Sequence, residues 1–438
     1  MRIDKLFLLT LMSMVTTSAI GQSKVWTLED CINYAIENSI TVKDAELTKT
    51  NSEVTLTSSQ MQRLPNLTGS ASQSFTNGTS IDPITSDYVN QQINSTSVGL
   101  NSSVTLFQGF QTNNQIAQNK LLVNQNSLYV EEAKNSITLS IVEAYLQALY
   151  NQEALEVAQQ NLNSSEKEVE RSQANFEAGN LAKKDLLDAQ SQAASNKYSL
   201  ISAQTNYEQQ MLTLKQLLEL QPEDAFEIQT PDDEFEGTIV PNKMEVYQQA
   251  LEIMPEINAS EMNIEINEKD VSIARGGYLP TLSLSGSLGS GYTSTQDLSF
   301  ADQMDLNYNQ RLGLSLSIPI FNRYSTKAQV QTAQINIQKA QLNLISAEKE
   351  LYQKIETAWQ NARAAQEQLL SAKVARDAAL SAYELAQQQH ELGAMSTIDL
   401  VVSQNTYTAA EQTYIQAKYL SILYTQLLAF YQGNDIKL

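Results

Sequence analysis

The stretch NFEAGNLAKKDLLDAQ, residues 175–190, interrupts a long helical pattern of polar and apolar residues with one glycine, Gly179. From residue 110 to residue 221 the chain has no other glycine or proline. The stretch QHELGAMSTIDLVVSQ, residues 389–404, repeats the arrangement around Gly393. A glycine that ends one helix, followed six residues later by an aspartate near the start of the next, predicts a reversal. The sequence therefore predicts two long helical hairpins that turn at these glycines.

An internal repeat extends through the chain at an offset of 214 or 215 residues. The segment LPNL at 64–67 matches LPTL at 279–282, and VTLFQGF at 104–110 matches IPIFNRY at 318–324. A repeat of this kind indicates that each half is one structural unit. The sequence pattern of each half predicts the same order of elements: a first helix, two strands, a helix of roughly 70 residues and a return helix of roughly 35 to 40.

The repeat defines the predicted domains. Residues 22–221 form the first repeat and residues 241–438 the second, and a proline-containing acidic linker, residues 222–240, joins them. The first helices are predicted at about 27–62 and 241–276, and the strands at about 64–76, 95–108, 279–292 and 310–322.

The long helices carry apolar residues at every seventh position, which predicts coiled-coil packing. In the second half the series is alanine throughout, so helices could approach closely there. The two series are Ile141, Ala148, Leu155, Leu162, Val169 and Phe176, and then Ala358, Ala365, Ala372, Ala379 and Ala386. At 1.5 Å per residue, 70 residues span on the order of 100 Å. Such helices are too long for the core of one globular domain.

The predicted strands alternate apolar residues with serine, glycine, threonine and asparagine. Segments of about ten residues with this alternation are typical of a transmembrane β-barrel, in which the apolar face meets lipid. The alternative is a set of half-buried strands in a soluble sheet. The predicted lipid-facing residues are Val98, Leu100, Val104, Leu106, Leu282, Leu284, Leu312, Leu314, Leu316 and Ile318. About eight strands are needed even for a filled barrel, so the four strands would have to be pooled between subunits.

Composition restricts the class of protein further. Residues 1–21 have basic residues, a short apolar run and small residues, which predicts a secretory signal peptide. No later segment is apolar enough for a transmembrane helix. The net charge of −21 disfavours binding to nucleic acid or anionic lipid. Because Cys31 is the single cysteine, no intrachain disulfide can form.

The combination of signal peptide, tandem repeat, strand pairs and helical hairpins resembles the TolC-like outer-membrane efflux protein family (outer membrane factors). The matching motifs are the LPNL and LPTL segments, the strand exits SVTLFQGFQTNNQIAQ and LSIPIFNRYSTKAQV, and the two glycine tips. The resemblance implies an α+β membrane protein. Its homotrimer would form a 12-stranded transmembrane β-barrel in the outer membrane of a Gram-negative bacterium. A long helical barrel would extend from it into the periplasm.

The resemblance also implies a function. The protein would be the passive exit duct of a tripartite efflux or type I secretion system, gated at its periplasmic tips. A periplasmic adaptor (membrane-fusion) protein, linked to an inner-membrane pump, would dock at the tips through Gly179, Gly393, Phe176 and Leu392. The cargo and the identity of the adaptor stay open.

Acidic residues after the tips are the predicted gate. Asp399 falls on the ring aspartate of the family, the second ring aspartate is replaced by Val402, and the first tip instead has Asp185 and Asp188. Repulsion between symmetry copies of such carboxylates favours dilation, and acidic rings select cations. The alternative is that these acids only stabilise the starts of the return helices.

A histidine, His390, takes the position of the aromatic latch residue of the family and is also assigned to the aperture. Histidine gains or loses a proton between pH 5 and 8, so His390 could act as a switch. The alternative is a partly exposed position on the helix seam.

Motifs for catalysis are absent from the sequence. There is no serine, histidine and aspartate set, no zinc-ligand spacing and no phosphate-binding loop. We therefore expect no enzyme activity, no metal and no cofactor. The competing interpretation is structural: a periplasmic or secreted coiled-coil scaffold without channel activity.

Overall fold

The computed structural model describes residues 25–81, 86–231 and 240–436. The predicted signal peptide and residues 232–239 of the predicted linker lie outside the described residues. The helices of the described part are α1 (Leu28–Asn38), α2 (Ile40–Met61), α3 (Gln111–Glu177), α4 (Lys183–Leu217), α5 (Lys243–Ile253), α6 (Pro255–Gly276), α7 (Phe300–Leu306), α8 (Ser325–Glu391) and α9 (Thr397–Tyr431). Its strands are β1 (Val25–Trp26), β2 (Asn66–Ile81), β3 (Tyr88–Gln108), β4 (Glu227–Ile228), β5 (Thr281–Thr293) and β6 (Asn309–Ser317).

The chain divides into two compact units. Of the described residues, the first unit comprises 25–43, 133–231, 240–253 and 351–436, and the second comprises 44–81, 86–132 and 254–350. The long helices α3 and α8, each of 67 residues, contribute to both units.

The first unit is held by a core in which helices of both repeats meet. Cys31 and Ala35 of α1 are fully buried there, and Thr27 caps this helix in a reciprocal capping box with Asp30. The predicted alanine seam is buried at Ala358, Ala365, Ala372 and Ala386 and half-buried at Ala379. The other principal core residues are Ile141, Tyr145, Leu149, Leu214, Leu218, Ile415, Tyr419 and Ile422.

The linker contributes structure that the sequence did not predict. Its residues Glu227 and Ile228 form β4, which pairs in parallel with β1. Phe226 and Ile228 are buried in the core of the first unit. The proline and acidic residues indicated only a connection, because a two-residue strand leaves no periodic pattern.

An aromatic side-chain donor fixes the segment before the first helix in both repeats. The hydroxyl of Tyr145 donates to the carbonyls of Trp26, at 3.1 Å, and Gln229, at 2.7 Å. In the second repeat, 214 residues later, Trp359 Nε1 donates to the carbonyl of Pro241, at 2.9 Å. Burial raises the pKa of the Tyr145 phenol, which keeps the hydroxyl protonated as a donor.

The prediction of one continuous first helix in each half was wrong. The segment 27–62 is broken at Ser39, whose ψ of 129° is extended, and the segment 241–276 is broken at Met254, whose ψ is 124°. The second break has a direct cause, since Pro255 lacks an N–H and disfavours a helical conformation in the preceding residue. Both breaks occur at matched positions of the repeat.

The second unit contains an antiparallel sheet with strand order β2-β3-β5-β6. The register places Val104 opposite Leu284, and Leu284 opposite Leu314. Since directly paired residues of an antiparallel sheet lie on the same face, the predicted leucines share one face. Thr105, Ser283 and Ser315 share the other face in the same way. The alternation read from the sequence is therefore confirmed in the register.

The strands differ from the prediction at several places. β2 continues to Ile81 and not to about 76, and β3 begins at Tyr88 and not at about 95. β6 ends at Ser317, so Ile318 lies outside the sheet, because Pro319 has no N–H to donate to a ladder. A β-bulge between Thr105 and Phe107 places Phe107, and not Leu106, opposite Leu282. A short helix, α7, which the sequence did not predict, connects β5 and β6 and begins at the capping residue Ser299.

Two glycines in the second unit cross in direct backbone contact. A Cβ atom added to Gly109 would lie 2.2 Å from the carbonyl oxygen of Gly276, and one added to Gly276 would lie 2.6 Å from the carbonyl oxygen of Gly109. This crossing joins the exit of β3 to the end of α6. Only residues without a Cβ can form it.

Candidate functional site

The two helical tips reverse through the same hydrogen-bonded turn. In the first tip, the N–H of Gly179 donates to Phe176 and the N–H of Asn180 donates to Asn175. In the second, Gly393 donates to His390 and Ala394 donates to Gln389. This pair of bonds is a Schellman motif, which requires a left-handed residue after the helix. The two glycines have φ values of 76° and 73°, which explains the glycine seen twice in the sequence.

The second return helix, α9, starts with a side-chain cap. The hydroxyl of Ser396 accepts from the N–H of Asp399, at 3.2 Å, and donates to Asp399 Oδ2, at 2.7 Å. Asp399 is exposed in the first turn, where a carboxylate stabilises the helix dipole. A helix-stabilising role for Asp399 therefore has a clear structural basis, and a gating role stays a prediction.

The first return helix, α4, starts without such a cap. Ala182 occupies the capping position and has no side-chain acceptor, and Asp185 lies in the first turn. Asp188 accepts from Lys184 Nζ at 2.6 Å. The hydrogen bond and charge of Asp188 raise the pKa of the Lys184 ammonium. A gating role for Asp185 and Asp188 also stays a prediction.

His390 lies in a polar network between α8 and α3. The side chain is not a partly exposed seam residue, because His390 is only 8% exposed. Its Nε2 lies 2.9 Å from Glu168 Oε1, and its Nδ1 lies 3.0 Å from the carbonyl oxygen of Met395. Arg171 Nη2 donates to the carbonyl of His390, at 2.9 Å, and Ser172 Oγ donates to Glu168 at 3.3 Å. The network ties the second tip to the first hairpin.

A cavity of about 250 Å³ adjoins this network in the first unit. Glu168, Arg171, Tyr383, Gln192 and Gln404 are among its lining residues. Most of its lining residues have polar side chains, and the hydroxyl of Tyr383 lies 3.2 Å from Ser164 Oγ. The space offers room for water beside the histidine rather than a dry apolar site.

Apolar side chains are exposed at the second tip. Leu392 is 84% exposed, and Ile398 and Val402 are exposed as well. At the first tip, Phe176 is 37% exposed. Scattered exposed apolar residues are normal, but several grouped at one helix end are typical of a contact surface.

The sequence located the tip residues but missed Glu168 and Arg171. The contacts of Asp188 and Asp399 remain local, whereas His390 contacts a carboxylate 222 residues away in the chain. No sequence spacing indicates such a pair. The one available signal was that His390 is the single histidine of the chain and lies three residues before a tip glycine.

The apolar face of the four-stranded sheet is open over much of its area. Leu314 is 66% exposed and Leu100 is 47% exposed, and Leu288, Leu312 and Leu316 are exposed as well. Such a band of leucines is energetically unfavourable in water. Ile318, although outside the strand, is exposed too.

The described part of the chain offers neither a membrane-spanning helix nor a metal cluster. Across residues 25–81, 86–231 and 240–436, no helix combines the length and apolar character needed to cross a membrane. The same ranges contain no group of three or more histidine, cysteine, aspartate or glutamate residues arranged to hold a metal ion.

A sequence model of the family described as outer membrane efflux protein matches residues 31–219 and 246–430. The chain belongs to this family. The two matched segments correspond to the two repeats, and the resemblance deduced from the sequence is confirmed. The efflux protein is thus a protein of the outer membrane of Gram-negative bacteria, as predicted.

Individual relatives agree with the assignment. The efflux protein is 23% identical over 336 residues to the pyoverdine export outer membrane protein OpmQ of Pseudomonas aeruginosa, covering 75% of this chain and 68% of OpmQ. It is 21% identical over 322 residues to the outer membrane efflux protein BepC of Brucella suis, covering 74% of this chain and 68% of BepC. The crystal structure of the Campylobacter jejuni CmeC outer membrane channel superposes with a TM-score of 0.79 at 20% identity, over 94% of this chain and 87% of CmeC. The fold is therefore that of an outer-membrane channel.

Proposed function

We propose that the protein is the outer-membrane exit duct of a tripartite efflux or type I secretion system. The observation that carries the proposal is the four-stranded sheet. It has one exposed apolar face and long strands at both of its edges. An apolar face of this kind suits a lipid environment. The opposite face, rich in serine, glycine and asparagine, suits the lining of a water-filled passage.

Three copies of the chain would form the closed barrel. Four strands cannot close around a lumen, since about eight are needed even for a filled barrel. The outer strands β2 and β6 have 16 and 9 residues, and long edges of this kind favour pairing with another chain. Pairing of β6 with β2 of the next copy would give about twelve strands and remove all edges.

The tips would form the gated inner end of the duct. In a trimer, the copies of Asp399 would repel one another, and so would those of Asp185 and Asp188. Contacts that tie the tips together would oppose this repulsion. His390 takes part in such a contact, and Gly179 and Gly393 give the turns that present the acids. The resulting aperture would favour cations.

An adaptor protein would dock on the exposed tip residues. Leu392, Ile398 and Val402 offer an apolar surface on the second tip, and Phe176 adds to the first. The names of OpmQ and BepC describe export and efflux, which fits a duct that receives cargo from a partner. The inner-membrane pump linked to the adaptor would supply the energy.

Purification from fractionated membranes tests the duct. We expect the chain in the outer-membrane fraction as a detergent-stable trimer that conducts ions in planar bilayers. Asp399→Ala should change the conductance or its block by divalent cations, and Ser403→Ala, one turn further along the same helix, is the matched control. A soluble periplasmic monomer without conductance would instead favour the coiled-coil scaffold.

Exchange of the exposed pair on the second tip tests docking. The double variant Ile398→Lys and Val402→Asp should lower export at least roughly tenfold while trimer yield is unchanged, because it removes apolar contact area that only a partner covers. The control is Ile335→Lys, an exposed residue of α8 in the other unit. Export at the wild-type level in the double variant would contradict docking at this tip.

A further inference from the structure

Both ring nitrogens of His390 face hydrogen-bond acceptors. Nδ1 lies 3.0 Å from the carbonyl oxygen of Met395, and Nε2 lies 2.9 Å from Glu168 Oε1. A carbonyl oxygen and an ionised carboxylate only accept hydrogen bonds, and a neutral imidazole has a single N–H. Satisfying both contacts beside an ionised Glu168 therefore requires a second proton on the ring.

We propose that this additional proton fastens the second tip and makes it sensitive to pH, an inference that rests on the proposed function as a gated duct. With the proton, the ring joins three segments: the end of α8, the turn at Met395, and α3 at Glu168. Without it, the ring has one N–H and can satisfy only one contact. The turn or α3 is then released, so the fastening weakens as pH rises and the ring loses this proton.

The charged and titratable groups around the ring come from α3 and α8. Glu168 favours a positive ring, and the guanidinium of Arg171 opposes it, with Arg171 Nη1 lying 3.9 Å from Glu168 Oε2. Lys167 from α3, and Tyr383 and Glu391 from α8, also line the adjoining cavity. The residues that α4 and α9 contribute to this cavity are neutral: Ala189, Gln192, Leu400, Val401 and Gln404.

The hydrogen-bond chemistry identifies an informative variant, Glu168→Gln. The amide of glutamine both donates and accepts. It can donate to Nε2 of a neutral ring while Nδ1–H donates to Met395. Both contacts then survive the loss of the proton, so the tip should stay fastened at high pH. His390→Phe removes both contacts at every pH, and Glu391→Gln is the control, because it leaves both acceptors of the ring in place.

Nitrogen NMR of histidine-labelled trimer tests the protonation directly. His390 is the single histidine among 438 residues, so the label reports this ring alone. We expect the wild-type ring to carry protons on both nitrogens at a pH at which the Glu168→Gln ring is neutral with its proton on Nδ1. Identical titration of the two rings would overturn the inference.

Measuring channel conductance as a function of pH tests whether loss of the proton opens the tip. Loss of one hydrogen bond corresponds to roughly a three- to tenfold shift in an equilibrium, so the open fraction of wild-type channels should rise by that factor from pH 6 to pH 8. The open fraction should stay low at both pH values in Glu168→Gln and high at both in His390→Phe. A pH-independent wild type, or wild-type opening of Glu168→Gln at pH 8, would overturn the inference. Absence of conductance in every variant would count against the proposed duct, and the nitrogen signals would still decide the protonation.

Discussion

Ala182 and Ser396 occupy the same position in the two repeats, one residue before a return helix, and they begin that helix differently. Ser396 caps α9 through the N–H of Asp399, whereas α4 starts at Ala182 without a side-chain acceptor. The turns before them are alike, with left-handed glycines at Gly179 and Gly393. The repeat therefore keeps the backbone reversal and varies the side chains that stabilise the start of the return helix.

The next exposed positions differ in polarity. The first repeat has the ion pair of Lys184 and Asp188, and the second has Ile398 and Val402 at the matched positions. A charged pair keeps a surface solvated, whereas an exposed apolar pair gains from being covered. The comparison indicates that the second tip is the one specialised for contact.

The largest expected effect concerns matched leucines of the sheet. Leu100→Lys and Leu314→Lys should each reduce the stability of the membrane-inserted trimer by about 2–4 kcal/mol, because both place a charge on the apolar face. Urea-dependent unfolding in lipid vesicles measures the loss. The controls Asn101→Lys and Ser315→Lys lie on the other face and should have little effect. Equal losses at all four positions would contradict a lipid-facing surface.

The next-largest losses of stability are expected at the two aromatic donors, Tyr145 and Trp359. Tyr145→Phe removes the phenol donor from the carbonyls of Trp26 and Gln229, although the Trp26 carbonyl keeps the N–H of Gln229 as a second donor, so we expect a loss of about 1–3 kcal/mol. Trp359→Phe removes one donor at a partly exposed site, where water can replace it, so we expect about 1 kcal/mol or less. Chemical denaturation of both variants compares them. A larger loss of stability in Trp359→Phe than in Tyr145→Phe would contradict this ranking.

The helix caps allow a reciprocal exchange. Ser396→Ala should cost about 1 kcal/mol, since Asp399 N–H loses its acceptor. Ala182→Ser should stabilise α4 by a similar or smaller amount, because it supplies the acceptor that the first repeat lacks. Hydrogen exchange of the first turns of both helices measures the changes. Destabilisation by serine at residue 182 would show that the two starts are not equivalent.

The smallest effect is expected for the exposed ion pair. Lys184→Gln should leave the thermal unfolding midpoint unchanged, because the pair with Asp188 is solvent-exposed and screened by salt. Differential scanning calorimetry at low and high salt checks this. A salt-sensitive fall in the midpoint would mean that the pair is buried by a neighbouring chain in the assembly.

Local patterns in the sequence predicted most of the fold. The alternation in Leu312, Leu314 and Leu316 predicted their common face, because side-chain direction in a strand follows directly from sequence position. Gly179 and Gly393 predicted the tips, because few other residues adopt the required φ. These features depend on neighbours within a few residues.

Features that depend on distant contacts were not predictable. The strand at Glu227 forms only because β1 lies beside it, and the break at Ser39 leaves no proline or glycine as a signal. The environment of His390 depends on Glu168 in the other repeat. Such pairings form between residues that are distant in the sequence, and no sequence spacing indicates them. The tip acids and His390 could therefore be identified from the sequence, whereas Glu168 could not.

The crossing of Gly109 and Gly276 has a consequence for genetic suppression. A residue that becomes too large in a core is usually rescued when a neighbouring side chain becomes smaller. Here each glycine would collide with the other's backbone, at 2.2 and 2.6 Å, and neither partner has a side chain to shorten. A second-site search starting from Gly109→Ala should therefore return true revertants and no compensating change at residue 276.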